Sequence, residues 1–279
     1  MRHRLACIAL VAFLTAMAPP FARAGMLAGK SSTVGIAQHA SLRTDTVDYR
    51  DGEQLLEGYV AWDESKAGRR PGVLLVHEWN GITEHTREQA RRLAELGYVA
   101  FAVDVYGKGI RPATPEAAGL EAAKFKRDRS LFRSRLQAGY RALLAQRWVD
   151  PHRIAAVGYC FGGTGVLELA RTGADLRGIV SVHGGLDSPN PADGKNIKAK
   201  VLILHGDADP FVPRKDVDAV LDELRSAKVD WQMITYGGAV HAFTNPAAGN
   251  DPGKGAAYDA NADRRSWLAM QEFLDEIFR

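Results

Sequence analysis

Residues 157–163 read VGYCFGG. The apolar run RIAAVGY leads into them and FGGTGVLELARTG leads away, so Cys160 stands where a buried strand turns sharply into a helix. Gly158 and Gly162 bracket it as G-x-C-x-G, the form of a nucleophile elbow. The glycines let the chain turn without a steric clash and lift the thiol above the sheet. The turn also aims the next backbone N–H, that of Phe161, at a reacting oxygen. The helix N-terminus beneath favours a thiolate. The plain alternative is a small apolar side chain packed at a tight turn.

The same strand-then-helix rhythm runs outward in both directions. RTDTVDYRDGEQLLEGYVAWDES predicts two antiparallel strands around a D-G turn. GVLLVHE and YVAFAVDV are short apolar runs suited to strands buried on both faces. Between them HTREQARRLAELG has helical spacing and stops at Gly97. TPEAAGLEAAKF opens a helix with Thr114 as N-cap and Pro115 at N1. A further helix ends near Trp148, and its apolar side over 131–148 suits either core or interface. LRGIVSVHG, KVLILHGDAD and VDWQMITY are strands, with PRKDVDAVLDELRSA a helix between the last two. The final helix sets Trp267, Met270, Leu274 and Ile277 in one stripe toward the sheet. Alternating strands and helices mean an α/β fold with a mostly parallel central sheet and helices on both faces. Stretches 106–129 and 244–257 read as loops around a site.

The amino terminus follows a different logic. MRHR, then the apolar LACIALVAFLTAMA, then PPFARA form a secretory leader with a cut after Ala24, leaving 25–279 as one domain. An uncleaved anchor is the alternative. Cutting there removes Arg2, Arg4 and Arg23 and no acid, leaving 33 basic against 33 acidic residues. The basic excess therefore belongs to the leader, and nothing favours a nucleic-acid partner or a membrane partner after processing. The expected location is periplasmic or secreted. Cys7 leaves as well, so Cys160 remains as a lone thiol in an oxidising compartment.

Ligands of parallel α/β sheets sit at the carboxyl ends of the strands. Four such ends carry reactive side chains: Glu78, Cys160, Asp209 in HGDADPFVP and His241 in GGAVHAF. The order nucleophile, acid, histidine fits triad chemistry, in which an acid orients a histidine that shares the nucleophile's proton. Each has a bland alternative. Asp209 suits a helix cap after Pro210, and His241 a polar loop position. His77, His183 and His205 read as packed or hydrogen-bonded, because no H-E-x-x-H spacing supports a metal.

Together HEWNG at 77–81, GYCFGG at 158–163, GDADPFVP at 206–213 and VHAF at 240–243 resemble the dienelactone hydrolase family of α/β hydrolases. The likeness covers essentially all of 25–279. It implies an α/β-hydrolase fold and a cofactor-free hydrolase of small esters or lactones, such as carboxymethylenebutenolide. The implied triad is Cys160, His241 and Asp209. Glu78 would hold the resting thiol protonated and take its proton when substrate arrives; an ion pair with an arginine of the next helix is its alternative. The amides of Trp79 and Phe161 would form the oxyanion hole. Family members hold a substrate carboxylate with two arginines, whose positions fall near Lys108 and on Asn245. Lysine lacks the bidentate fork and asparagine the charge. A thioesterase or peptidase using the same three residues, and a non-catalytic binding protein on the same scaffold, are the rival readings.

Overall fold

The apolar runs become the middle of one eight-stranded sheet in a computed structural model, which describes residues 41–279. The leader read in residues 1–24 lies outside the described residues. In chain order the elements are β1 (Leu42–Asp51), β2 (Gln54–Asp63), β3 (Arg70–Val76), α1 (Glu84–Glu95), β4 (Val99–Val103), α2 (Pro115–Arg127), α3 (Arg129–Leu144), β5 (Val149–Tyr159), α4 (Phe161–Arg171), β6 (Gly178–Val182), β7 (Lys200–Gly206), α5 (Arg214–Ser226), β8 (Trp231–Tyr236) and α6 (Ala260–Ile277). The spatial order is β1-β2-β4-β3-β5-β6-β7-β8. The β1–β2 and β2–β4 pairs are antiparallel and the others parallel. This is the α/β-hydrolase arrangement that the sequence predicts.

Alternation along the central strands decides which helix covers which face. In β3, Leu74 and Val76 join one core layer and Val73 and Leu75 the other. The first layer packs Phe125, Phe132, Leu136, Val166 and Leu224 of α2–α5. The second packs Ala90 and Leu93 of α1 with Met270, Phe273 and Leu274 of α6. At ~25 cal/mol per Å² of apolar area removed from water, these two layers are the main source of stability. Phe132, Leu136 and Leu143 are wholly buried, so the apolar side of α3 is core rather than interface. On α6 the predicted stripe faces inward, and the Arg92 guanidinium lies 3.7 Å over the Trp267 ring.

Local signals are met residue by residue. Thr114 Oγ1 accepts from the Ala117 N–H with Pro115 at N1. Gly97 closes α1 with φ +97°. The D-G hairpin turns at Gly52, and Asp51 pairs with Gln54. The helix expected to run to Trp148 stops at Leu144, because the chain turns there and the Trp148 carbonyl receives the Arg70 N–H at the start of β3. The supposed loop 106–129 is mostly α2, as its own cap signal requires. Helix α4 is buried along its whole length, and its two charged residues are paired there. Glu168 and Arg171 bind each other at 2.9 Å, and Arg171 also reaches Glu223 of α5 at 2.7 Å. Removing one partner of such a buried set costs about 3–5 kcal/mol.

Candidate active site

The topology brings the ends of β3, β5 and β7 and the segment after β8 to one edge of the sheet. Pairing of Val76 with Gly158 sets the residues after β3 beside the turn after β5. That turn is tight. A Cβ on Gly158 would lie 1.9 Å from the Gly162 carbonyl oxygen, and one on Gly162 would lie 2.2 Å from that of Val76. Only glycine fits either place. Cys160 itself sits at φ +55°, a conformation costly for any residue with a Cβ. Of the four non-glycine residues at positive φ among the described residues, Cys160, His183 and Ala242 belong to this site. Strain of this kind persists where surrounding contacts over-determine the backbone.

Three predicted residues meet in a line. His241 Nε2 lies 3.0 Å from Cys160 Sγ, and His241 Nδ1 lies 2.7 Å from Asp209 Oδ2. The other oxygen of Asp209 accepts from the Phe211 N–H at 2.9 Å, which fixes the carboxylate plane. Asp209 does not cap α5, whose N-cap is Pro213. Burial works against a charge on His241, but the Cys160 sulfur and the Asp209 carboxylate outweigh it and push its pKa up to about 10. The group can therefore share a proton between sulfur and imidazole, with the acid fixing Nδ1–H. Cys160 is half-buried, so the sulfur remains reachable. The Phe161 and Trp79 amides donate to no other described group.

Glu78 lies beside these three residues and is buried. It makes no ion pair with the arginines of α1: Arg91 binds Glu84 and Glu88, and Arg92 stacks on Trp267. Its carboxylate accepts instead from Asn245 Nδ2 at 2.7 Å. That contact, rather than one to the thiol, is its hydrogen bond in this structure. Burial raises the Glu78 carboxyl to about 7, with the Asn245 amide and the charge of His241 pulling it partway back. A raised carboxyl binds its proton more tightly in the native than in the unfolded state. Stability is then greatest below the ordinary value near 4.5 and falls as pH rises through about 7. A Glu78→Gln protein keeps an acceptor for Asn245 and loses the titration. Its stability relative to the parent should rise by about 3 kcal/mol between pH 4.5 and pH 8. Urea melts at both values check this; a difference that stays flat with pH would contradict it.

Lys108 corrects an expectation. Its ammonium is engaged by Asp48 at 2.6 Å and Glu57 at 3.4 Å, because the β1–β2 hairpin folds against the loop that carries it. It is not brought to Cys160. Asn245 is brought to the site, but as the partner of Glu78.

Two further residues support the site: Tyr106, which was not singled out in the sequence, and His183, which is hydrogen-bonded as its sequence reading allows. The Tyr106 hydroxyl donates to the Trp79 carbonyl at 2.7 Å and so orients that peptide. His183 ties the elbow to the His241 loop. Its Nδ1 accepts from the Cys160 N–H at 3.2 Å, and its Nε2 meets Thr244 Oγ1 at 2.9 Å. Burial keeps its pKa well below the usual imidazole value, so this ring is neutral and Nε2 carries the proton. His77 is likewise hydrogen-bonded, to the Glu78 carbonyl and the Val105 N–H, while His205 is packed with no partner for Nδ1.

With this geometry in view, the sequence model of the dienelactone hydrolase family matches residues 56–278. A solved structure of a dienelactone hydrolase-like promiscuous phosphotriesterase from metagenomic libraries is 44% identical and superposes with a TM-score of 0.82, covering 86% of this chain and all of the other. A protein of Aquifex aeolicus provisionally named a carboxymethylenebutenolidase is 28% identical over 71% of this chain and 86% of its own. A Bradyrhizobium protein provisionally named a 2-oxo-3-(5-oxofuran-2-ylidene)propanoate lactonase is 28% identical over 63% of this chain and 74% of its own.

Proposed function

For a chain that belongs to the dienelactone hydrolase family, we propose hydrolysis of small carboxylic esters or lactones through an acyl-cysteine intermediate on Cys160. The observation that carries the reading is the unbroken line from Asp209 through His241 to Cys160. The sulfur attacks the carbonyl carbon, and the carbonyl electron pair moves onto oxygen, which the Trp79 and Phe161 amides receive. Collapse breaks the carbon–oxygen bond, and His241 gives its proton to the departing alkoxide. Water then attacks the thioester while His241 takes its proton, and the carbon–sulfur bond breaks to restore the thiolate. The sum is ester plus water to acid plus alcohol. Glu78 tunes the thiol from its place beside His241. The leader read in residues 1–24 would carry this chemistry to the periplasm or outside the cell.

A second reading is favoured by the phosphotriesterase neighbour at 44% identity. The same sulfur would attack phosphorus and expel an aryloxide, and water would then release the phosphodiester. Both readings are tested by intact mass after brief mixing of the protein with an activated carboxylic ester or an aryl phosphotriester. An acyl or phosphoryl mass on Cys160 that decays as product appears is the expected result, and its identity decides between them. An unmodified mass with both reagents, and no product, would overturn both and move the binding-protein reading ahead.

A further inference from the structure

We propose that this site takes uncharged esters, with their apolar group between the rings of Trp79 and Phe211, and discriminates against substrates that carry a carboxylate. The inference rests on the acyl-cysteine reading and names the substrate class for it.

Apolar surface comes first. Six large apolar side chains are exposed among the described residues. Four of them, Trp79, Ile110, Leu120 and Phe211, sit on α2 or on loops that follow β3, β4 and β7. Exposed aromatic surface is costly to leave in water and, when gathered at one place, marks a binding surface. Phe211 is 61% exposed, yet its ring stands perpendicular to the His241 ring with centroids 5.5 Å apart. Its edge rests close to the Gly255 backbone, so it is positioned rather than loose. Trp79 is 40% exposed, with its carbonyl held by Tyr106 and its ring beside Gly119 of α2. The two rings come from the loop after β3 and the loop after β7, and Cys160, on the loop after β5, lies between those strands.

Charge points the same way. On the loop after β4, Lys108 is neutralised by Asp48 and Glu57. Arg111 on that loop is held by Asp104 and by the carbonyls of Gly107 and Ile110. The loop after β3 adds Glu78 and no lysine or arginine. The loop after His241 carries Lys254 against Asp251 and Asp259. Beside the reacting pair Asn245 and Glu78 face each other, an amide on a carboxylate. A substrate carboxylate placed there meets a like charge, which disfavours binding, whereas an apolar group meets rings.

The test uses two activated esters of matched length. Para-nitrophenyl pentanoate ends in a methyl group, and para-nitrophenyl hydrogen glutarate replaces that methyl by a carboxylate. At pH 8 the pentanoate should be favoured in kcat/KM by roughly 100-fold. Phe211→Ala should raise KM for the pentanoate about tenfold, more than it lowers kcat, because one apolar wall is lost. Asn245→Arg, which sets a guanidinium on Glu78, should narrow the preference about tenfold. Equal kcat/KM for the two esters, or preference for the glutarate, would overturn this inference and leave the acyl-cysteine reading standing. Turnover of neither ester, with no acyl mass on Cys160, would remove both.

Discussion

Cys160→Ala is expected to lower kcat/KM for an activated ester by about 10⁴-fold or more while leaving the fold intact. The first half follows from the line of contacts, since without sulfur His241 has no nucleophile at 3.0 Å to activate. The second half follows from what Cys160 does not do. As the N-cap of α4 it makes no side-chain capping bond, so alanine removes none. Alanine at φ +55° carries the same Cβ strain as cysteine. The side chain is half-buried, and losing one sulfur atom costs about 1 kcal/mol or less. Melting temperature and circular dichroism therefore serve as controls that should barely move. If the variant kept more than a tenth of the parent's activity, the thiol would be a packing residue and the proposed mechanism would fall.

The features that the sequence states most openly are those with local causes. A Thr-Pro pair caps α2 because Pro115 needs no partner for a missing N–H and Thr114 supplies an acceptor. Gly158 and Gly162 announce the elbow because the contacts at 1.9 and 2.2 Å exclude any other residue. The order of Cys160, Asp209 and His241 follows from strand order, which the alternating pattern sets. What was hidden is non-local. Asn245 meets Glu78 across 167 residues, and no pattern near either one foretells the pair. Lys108 looked available for a substrate because its partners Asp48 and Glu57 belong to a hairpin far back in the chain. The apolar face of α3 was ambiguous because periodicity shows that a helix has a buried side but not what buries it. Positive φ at His183 and Ala242 has no sequence signal at all, since neither is glycine. At His183 the backbone N–H is held by the Leu204 carbonyl of β7 and the ring by Thr244.

The residues hidden from the sequence also change what the site can recognise. In the proposed mechanism, the line of sulfur, imidazole and carboxylate would supply reactivity toward any acyl carbon. In the proposed reading, selection among acyl groups rests on the amide–carboxylate pair and the exposed rings, which come from separate loops. The Phe211 side chain can be changed while its backbone N–H still fixes Asp209, whereas a change at Asn245 also alters the partner of Glu78.

Asp209→Asn should lower kcat by about 10³- to 10⁴-fold while the protein still folds. The reason lies in a hydrogen-bond direction. Oδ1 of Asp209 accepts from the Phe211 N–H, so the amide oxygen of asparagine should take that place. Its NH₂ then faces His241 Nδ1, which must become an acceptor and send the ring proton to Nε2. There the proton points at Cys160 Sγ, and the ring has no lone pair left to receive the thiol proton. The carboxylate that helps hold His241 at about 10 is lost as well, so the imidazolium form gives way at lower pH. Since that charged form is present below its pKa and lost as pH rises through it, the alkaline limb of the kcat profile should move down. The two effects separate a positioning acid from a merely structural one. A structural aspartate would change melting temperature and leave the shape of the pH profile alone. An unchanged profile with near-parental kcat would mean that His241 is held in place by the His183 ring and the Gly255 carbonyl without help from Asp209.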